Sequence, residues 1–306
     1  MFVGKVMKKL AVFAASMLFA GSAVAADLST PVKAVVPEPT PVWDVAFGVK
    51  LANDYVFRGI TQTDGNAAVQ GYGELRLFDW VYAGVWASNV SFPPVNALGI
   101  PTGLTDAAAE VDIYGGLRHT WDALTLDVGF LYYYYPGEIA VNTFGPGVPA
   151  ANLDFWEVYF KPSYVFNNFA TVGANLYYTT TYAGTGANGT FLSGTLKLDF
   201  SKWSPVTDVG VFVSGEFGYQ WLGTTSFSNV FAANFELPSY STWNVGLGFT
   251  YKAATLDFRY YGSDLSNSFS LQYPLGTCAA ISGLSTACGD RFVASLSFDT
   301  TFLALK

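Results

Sequence analysis

The residues best suited to chemistry in this 306-residue chain are one histidine, His119, two cysteines, Cys278 and Cys288, and a set of acids and bases spaced two apart. A Ser–His–acid arrangement needs its imidazole within hydrogen-bond reach of a serine and an acid in one site. His119 instead shares its parity with Val111, Ile113 and Leu117, opposite Glu110, Asp112 and Arg118. It is expected as a side chain on an apolar face. No metal-ligand spacing, phosphate-cradling glycine loop or nucleophile elbow accompanies it. No catalytic residue, metal or cofactor is therefore expected.

The charges are more informative. Lys50, Arg58, Glu74, Arg76, Glu110, Asp112, Arg118, Asp127, Glu157, Lys161, Asp257 and Arg259 fall on the polar phase of alternating segments, as do Lys197, Asp199 and Glu216. Charges enclosed by protein must be hydrated or paired, because an isolated charge in low dielectric is very costly. Two outcomes are open. Facing walls separated by water make these residues the lining of a passage and tune its ion preference. Interdigitation as salt bridges, joined by Tyr72 and Tyr114, fills the interior and leaves a structural element.

The elements that hold such charges follow from composition. Apolar types make up 51% of the chain and aromatics 17%, but charged residues only 12%, about half the share of a soluble domain. Past residue 25 no run of about 18 apolar residues could span a membrane as a helix. Hydrophobicity must then be spread by alternation, which means strands. In 242–251, Trp243, Val245, Leu247, Phe249 and Tyr251 oppose Thr242, Asn244, Gly246, Gly248 and Thr250. That period of two is a strand with one apolar face.

Twelve strands are predicted, at 42–58, 67–78, 81–91, 108–120, 124–135, 154–165, 169–182, 190–200, 208–222, 240–251, 255–263 and 290–302. Short connections follow the even-numbered strands. Longer ones, at 59–66, 92–107, 136–153, 183–189, 223–239 and 264–289, follow the odd-numbered strands. Loops sorted by parity match a membrane barrel with short periplasmic turns and longer outer loops. Trp43, Trp80, Trp121 and Trp203 gather at one set of strand ends, and Trp156, Trp221, Tyr240 and Trp243 near the other, as two interfacial belts would.

The expected fold is all-β: one closed antiparallel up-and-down transmembrane β-barrel over 42–306. Ahead of it, residues 1–25 read as a secretory signal peptide, with Lys5, Lys8 and Lys9, an apolar Leu10–Ala20 and the small residues Ala23-Val24-Ala25. Residues 26–41 hold Pro31, Pro37, Pro39 and Pro41 and read as an extended periplasmic segment. In an exported chain Cys278 and Cys288 are expected as a disulfide; no histidine accompanies them as a metal partner would. The formal charge is −8, and loss of 1–25 removes only cations, so nucleic acid is excluded as a partner. The expected partners are outer-membrane lipids and small solutes or ions, at the cell outer membrane; nothing specifies an oligomeric state.

At 53–65 the chain reads Asn53-Asp54-Tyr55-Val56-Phe57-Arg58-Gly59-Ile60-Thr61-Gln62-Thr63-Asp64-Gly65. With Ala68-Val69-Gln70-Gly71, Ala83–Val90, Glu110–Gly116 and Glu157-Val158-Tyr159, this resembles the TorF family of porins. The resemblance spans residues up to about 160 and implies an outer-membrane porin barrel without implying its solute. The chain departs from the family in its long outer loops and in running past Phe302 to Lys306.

About twelve strands enclose a bore between a filled eight-stranded barrel and an open sixteen-stranded porin. The expectation is a passive narrow channel for ions or small solutes with a slight cation bias. The alternatives are a non-conducting structural or surface-interaction barrel and, third, an outer-membrane enzyme whose site forms without histidine.

Overall fold

A computed structural model describes residues 42–92, 107–138, 153–226, 234–268, 272, 277–278, 282 and 287–306. The signal peptide and proline-rich segment expected at 1–41 lie outside the described residues. Alternation produces strands β1 (Trp43–Ala52), β4 (Ala68–Leu77), β5 (Val81–Asn89), β6 (Ala109–Trp121), β7 (Leu124–Tyr134), β8 (Phe155–Phe166), β9 (Ala170–Thr179), β10 (Gly189–Asp199), β11 (Val209–Leu222), β12 (Tyr240–Tyr251), β13 (Ala254–Ser263) and β14 (Arg291–Thr301). Between β1 and β4 lies a small hairpin, β2 (Val56–Phe57) and β3 (Ile60–Thr61).

Each long strand pairs antiparallel with its neighbours in the sequence, and β1 pairs with both β14 and β4, which closes a twelve-stranded barrel. Closure leaves no unpaired edge, the condition a sheet must meet in lipid. Tight turns end β4, β6, β8 and β12, built on left-handed residues such as Asn167 and Asn168 (φ 50° and 54°). The connections at the opposite end are longer, as loop parity predicts.

The outer surface is apolar. Phe47, Val69, Ile113, Val128, Leu192, Val245 and Phe298 lie exposed on seven different strands. A continuous apolar exterior of this extent is intolerable in water and suits a hydrocarbon surround. At the short-turn rim His119 stacks on Trp80 with ring centroids 4.1 Å apart and packs edge-on to Trp121. It sits outside the barrel, on the face its parity assigns.

Inside, large side chains lie over glycines on neighbouring strands. A Cβ on Gly129 would run into the Tyr159 ring, and one on Gly248 into Phe212. The glycines thus make room for rings that fill the lumen without distorting the ladder.

One strand departs from expectation. β1 stops at Ala52 instead of running to 58. The side chain of Asn53 replaces the ladder: its Nδ2 donates to the Phe292 carbonyl at 3.2 Å and its Oδ1 accepts from Ala294 N–H at 2.8 Å. The chain then turns into the barrel. Arg58 and Gly59, at φ 46° and 81°, form the tight turn between β2 and β3, a conformation suited to the twist of a two-residue hairpin. Gly59 is required there twice over, since a Cβ would also meet Thr242 Oγ1 at 2.7 Å.

Candidate functional site

The lumen has three parts, each built by alternate residues of neighbouring strands. The first is a buried charge ladder on β4 to β8. Arg118 donates from Nη1 to Glu74 at 3.1 Å and from Nε to Asp127 at 3.0 Å, and its guanidinium lies over the Tyr82 ring. Arg76 adds a second cation to Glu74 at 2.8 Å, and Lys161 a second to Asp127 at 3.6 Å. Tyr82 donates to Asp127 and shares a hydrogen bond with Tyr159. Glu74 and Asp127 are both buried. Two cations per carboxylate offset a desolvation cost that one surface-type pair would not.

The second part is the inward hairpin. Arg58 crosses from the β1 side to the far wall, where Nη1 and Nη2 fork onto the Glu157 carboxylate at 2.9 and 2.7 Å. Nη1 also donates to Gln220 Oε1 at 2.8 Å, and the rings of Phe57, Tyr177 and Phe191 surround the guanidinium. Tyr133 donates to Glu157, while Tyr55 of the hairpin loop and Tyr135 both donate to Glu110 at 2.7 Å. Asp112 is buried nearby, and its Oδ1 has no hydrogen-bond partner among the described residues. At its base Asp54 accepts from Thr61 and Thr63 hydroxyls and pairs with Arg291. The last loop rests on the hairpin's other edge: Ile60 bridges to Cys288, and Thr61 N–H donates to the Ala287 carbonyl at 2.9 Å. Cys278 and Cys288 form a disulfide with a Cα–Cα separation of 5.8 Å.

The third part is the wall of β9 to β14 and β1. Asn175, Thr195, Ser214, Glu216, Asn244, Asp257, Ser297, Asp299 and Lys50 are only partly buried, whereas Ser193, Lys197, Gln220, Thr242 and Arg259 on the same strands are buried. Arg259 donates to both oxygens of Asp257 (3.1 and 2.9 Å), to Asn244 Oδ1 at 2.6 Å and to Ser214 at 2.7 Å. Glu216 accepts from Ser193, Asn175 and Asn244. The lumen is therefore lopsided in its acids: Glu74, Glu110, Asp112, Asp127 and Glu157 on one wall are buried, while Glu216, Asp257 and Asp299 on the other are partly exposed.

Residues 37–272 match the family described as "Bacterial protein of unknown function (Gcw_chp)". The chain belongs to the Gcw_chp family. No curated protein matches it. Among solved structures, this Gcw_chp chain is similar to an outer membrane channel from Pseudomonas putida (12% identity, TM-score 0.45, covering 89% of this chain and 100% of that one). It is also similar to the NanC porin (9%, 0.42, 83% and 98%) and to LpxR from Salmonella typhimurium (11%, 0.40, 83% and 99%).

Within the Gcw_chp barrel the residues expected to line the lumen divide three ways. Glu74, Arg76, Arg118, Asp127 and Lys161 come together in the ladder. Glu110, Asp112, Glu157 and Arg58 meet around the hairpin, and Lys50, Asp257 and Arg259 come together on the β12–β14 and β1 wall. Arg58 is the correction: it belongs to a turn in the lumen and not to the end of a wall strand, because the Asn53 side chain ends the ladder five residues earlier. Tyr55, Tyr133, Tyr135 and Gln220 complete the hairpin's contacts, and sequence did not single them out as lumen residues; Tyr240, expected in an interfacial belt, is likewise buried inside the barrel. The three wall residues were legible by parity with Leu131 and Leu222; Tyr55 carried no such signal.

Proposed function

We propose that this chain is an outer-membrane porin, a narrow passage for ions or small polar solutes that runs along the β9–β14 and β1 wall beneath the inward hairpin. The observation that carries this reading is the lopsided lumen. A barrel needing only internal cohesion has no use for a wall whose carboxylates stay partly exposed while those of the opposite wall are buried. The TorF resemblance at residues 53–91 supports the same reading, as does the apolar exterior. The long-loop end then faces outward, residues 1–25 serve as the export signal and 26–41 lie in the periplasm. This reading assigns His119 no catalytic role: it stacks on Trp80 and packs edge-on to Trp121 on the barrel's outer face.

A second reading is favoured by one observation. Arg58 ties the hairpin across the lumen to Glu157 and Gln220, so the outer half is filled as in a non-conducting structural barrel. Planar-bilayer recording of refolded protein separates the two. The porin reading expects discrete steps from the native chain, larger in a variant whose residues 55–62 are replaced by a short glycine–serine link. Silence from both proteins overturns the porin reading in favour of the structural one.

A further inference from the structure

We propose that Glu216 is the selectivity site of the passage, where the β9–β14 and β1 wall attracts and sorts small cations such as monovalent metal ions and protonated amines. This rests on the porin reading and adds to it the class of solute.

The inference starts from how each carboxylate in the lumen is held. Glu74 and Asp127 each carry two cations, Glu157 carries Arg58, and Asp257 takes a bidentate contact from Arg259. Glu110 has only the neutral Tyr55 and Tyr135 hydroxyls, but it is buried. Glu216 combines neutral partners with partial exposure: the Ser193 hydroxyl at 2.5 Å and the Asn175 amide at 3.1 Å on Oε1, and the Asn244 amide at 3.4 Å on Oε2. Among the described residues no lysine or arginine forms an ion pair with it. Arg259 shares Asn244 with it but makes no direct hydrogen bond to it; its four contacts go to Asp257, Asn244 and Ser214. Neutral donors fix the carboxylate in place without cancelling its charge.

Position makes that charge effective. Glu216 lies near the middle of β11, below the level of Gln220, which the hairpin's Arg58 contacts. It is partly exposed, unlike the buried acids of the other wall. A solute passing beneath the hairpin meets it directly. Bound charges on a low-dielectric wall focus the field into the water beside them. On the same wall Asp299 and Lys50 are also partly exposed, while the cations Lys197 and Arg259 are buried. This side of the lumen therefore favours cations, with Glu216 as a fixed, partly exposed anion that no cation contacts directly among the described residues.

The test is the reversal potential in a potassium chloride gradient across a planar bilayer, for the native chain, Glu216→Gln and Glu216→Asp. Gln is isosteric and keeps an acceptor for Ser193, and heat-modifiable migration on a denaturing gel checks that each variant folds. The native chain is expected to prefer potassium over chloride. Glu216→Gln should lower that preference about five-fold, the Boltzmann factor of a unit charge met at about 4 Å in water, while Glu216→Asp keeps most of it. A native preference for chloride, or a Gln variant as selective as the native chain, overturns this proposal and leaves the porin reading standing. Silence from both the native and the hairpin-shortened proteins overturns both.

Discussion

Arg58 and Glu157, separated by 99 positions in sequence, meet across the barrel in a two-point contact of 2.9 and 2.7 Å. Arg58 sits at the tip of a hairpin in a left-handed conformation with φ 46°, which costs a non-glycine residue about 1–2 kcal/mol. The forked contact and three surrounding rings hold it there. Cutting this contact should release the hairpin. Arg58→Ala is expected to raise single-channel conductance, and Arg58→Lys to lie between, because an ammonium cannot fork onto a carboxylate. Equal conductance in all three proteins would remove the hairpin from any gating role.

The disulfide holds the far edge of the same hairpin. Cys278–Cys288 keeps Ala287 against Thr61 N–H and Cys288 against Ile60. Closing so short a loop stabilises it by about 3 kcal/mol on chain-entropy grounds. The double substitution Cys278→Ser/Cys288→Ser should speed hydrogen exchange at the Thr61 amide. Heat-modifiable migration should not change, since no barrel ladder depends on this loop. Unchanged exchange would mean that the loop and hairpin are independent.

Glu138, just beyond β7, accepts the Leu153 N–H at 3.0 Å and so joins the two ends of the loop leading to β8. Burial pushes its carboxyl up from 4.5 to about 7, with nearby Asp154 adding to the rise and the Leu153 hydrogen bond opposing it. The folded loop then binds more protons than the unfolded one between pH 4.5 and about 7. Its stability should fall as pH rises through that window and be lowest above it. Exchange at the Leu153 amide, corrected for the intrinsic pH effect, should quicken with a midpoint near 7. Glu138→Gln should abolish the dependence.

The exterior can be tested at Val245, exposed at mid-strand on β12. Val245→Arg is expected to cost about 2–4 kcal/mol of folding free energy in lipid vesicles, the depth-dependent cost of a cation at the bilayer midplane. On a water-exposed surface the same change would stay within about 0.5 kcal/mol. Denaturant titration in vesicles gives the answer, and a neutral result would contradict a membrane surround.

Much of the barrel is legible before folding. The sequence signal for β12, the strict alternation from Thr242 to Tyr251, is local and marks both its faces. β5 is harder to read because Ala83, Gly84 and Ala87 suit either face, yet Tyr82 and Trp86 point inward and are buried. β1 misleads, since Tyr55 and Phe57 continue an apolar phase that the Asn53 side chain has already interrupted.

By itself, the sequence determined the strand count, the inner and outer face of every long strand except β5 and the end at which the long loops lie. Those properties depend on a period of two and on turn length, which neighbouring residues set. Only the tertiary structure decided that the 53–66 loop turns inward, that Arg118 serves both Glu74 and Asp127, and that Glu216 is left with neutral partners. Each of these joins residues brought together by closure, and which cation reaches which acid is selected by the cost of leaving a charge unpaired in a confined lumen.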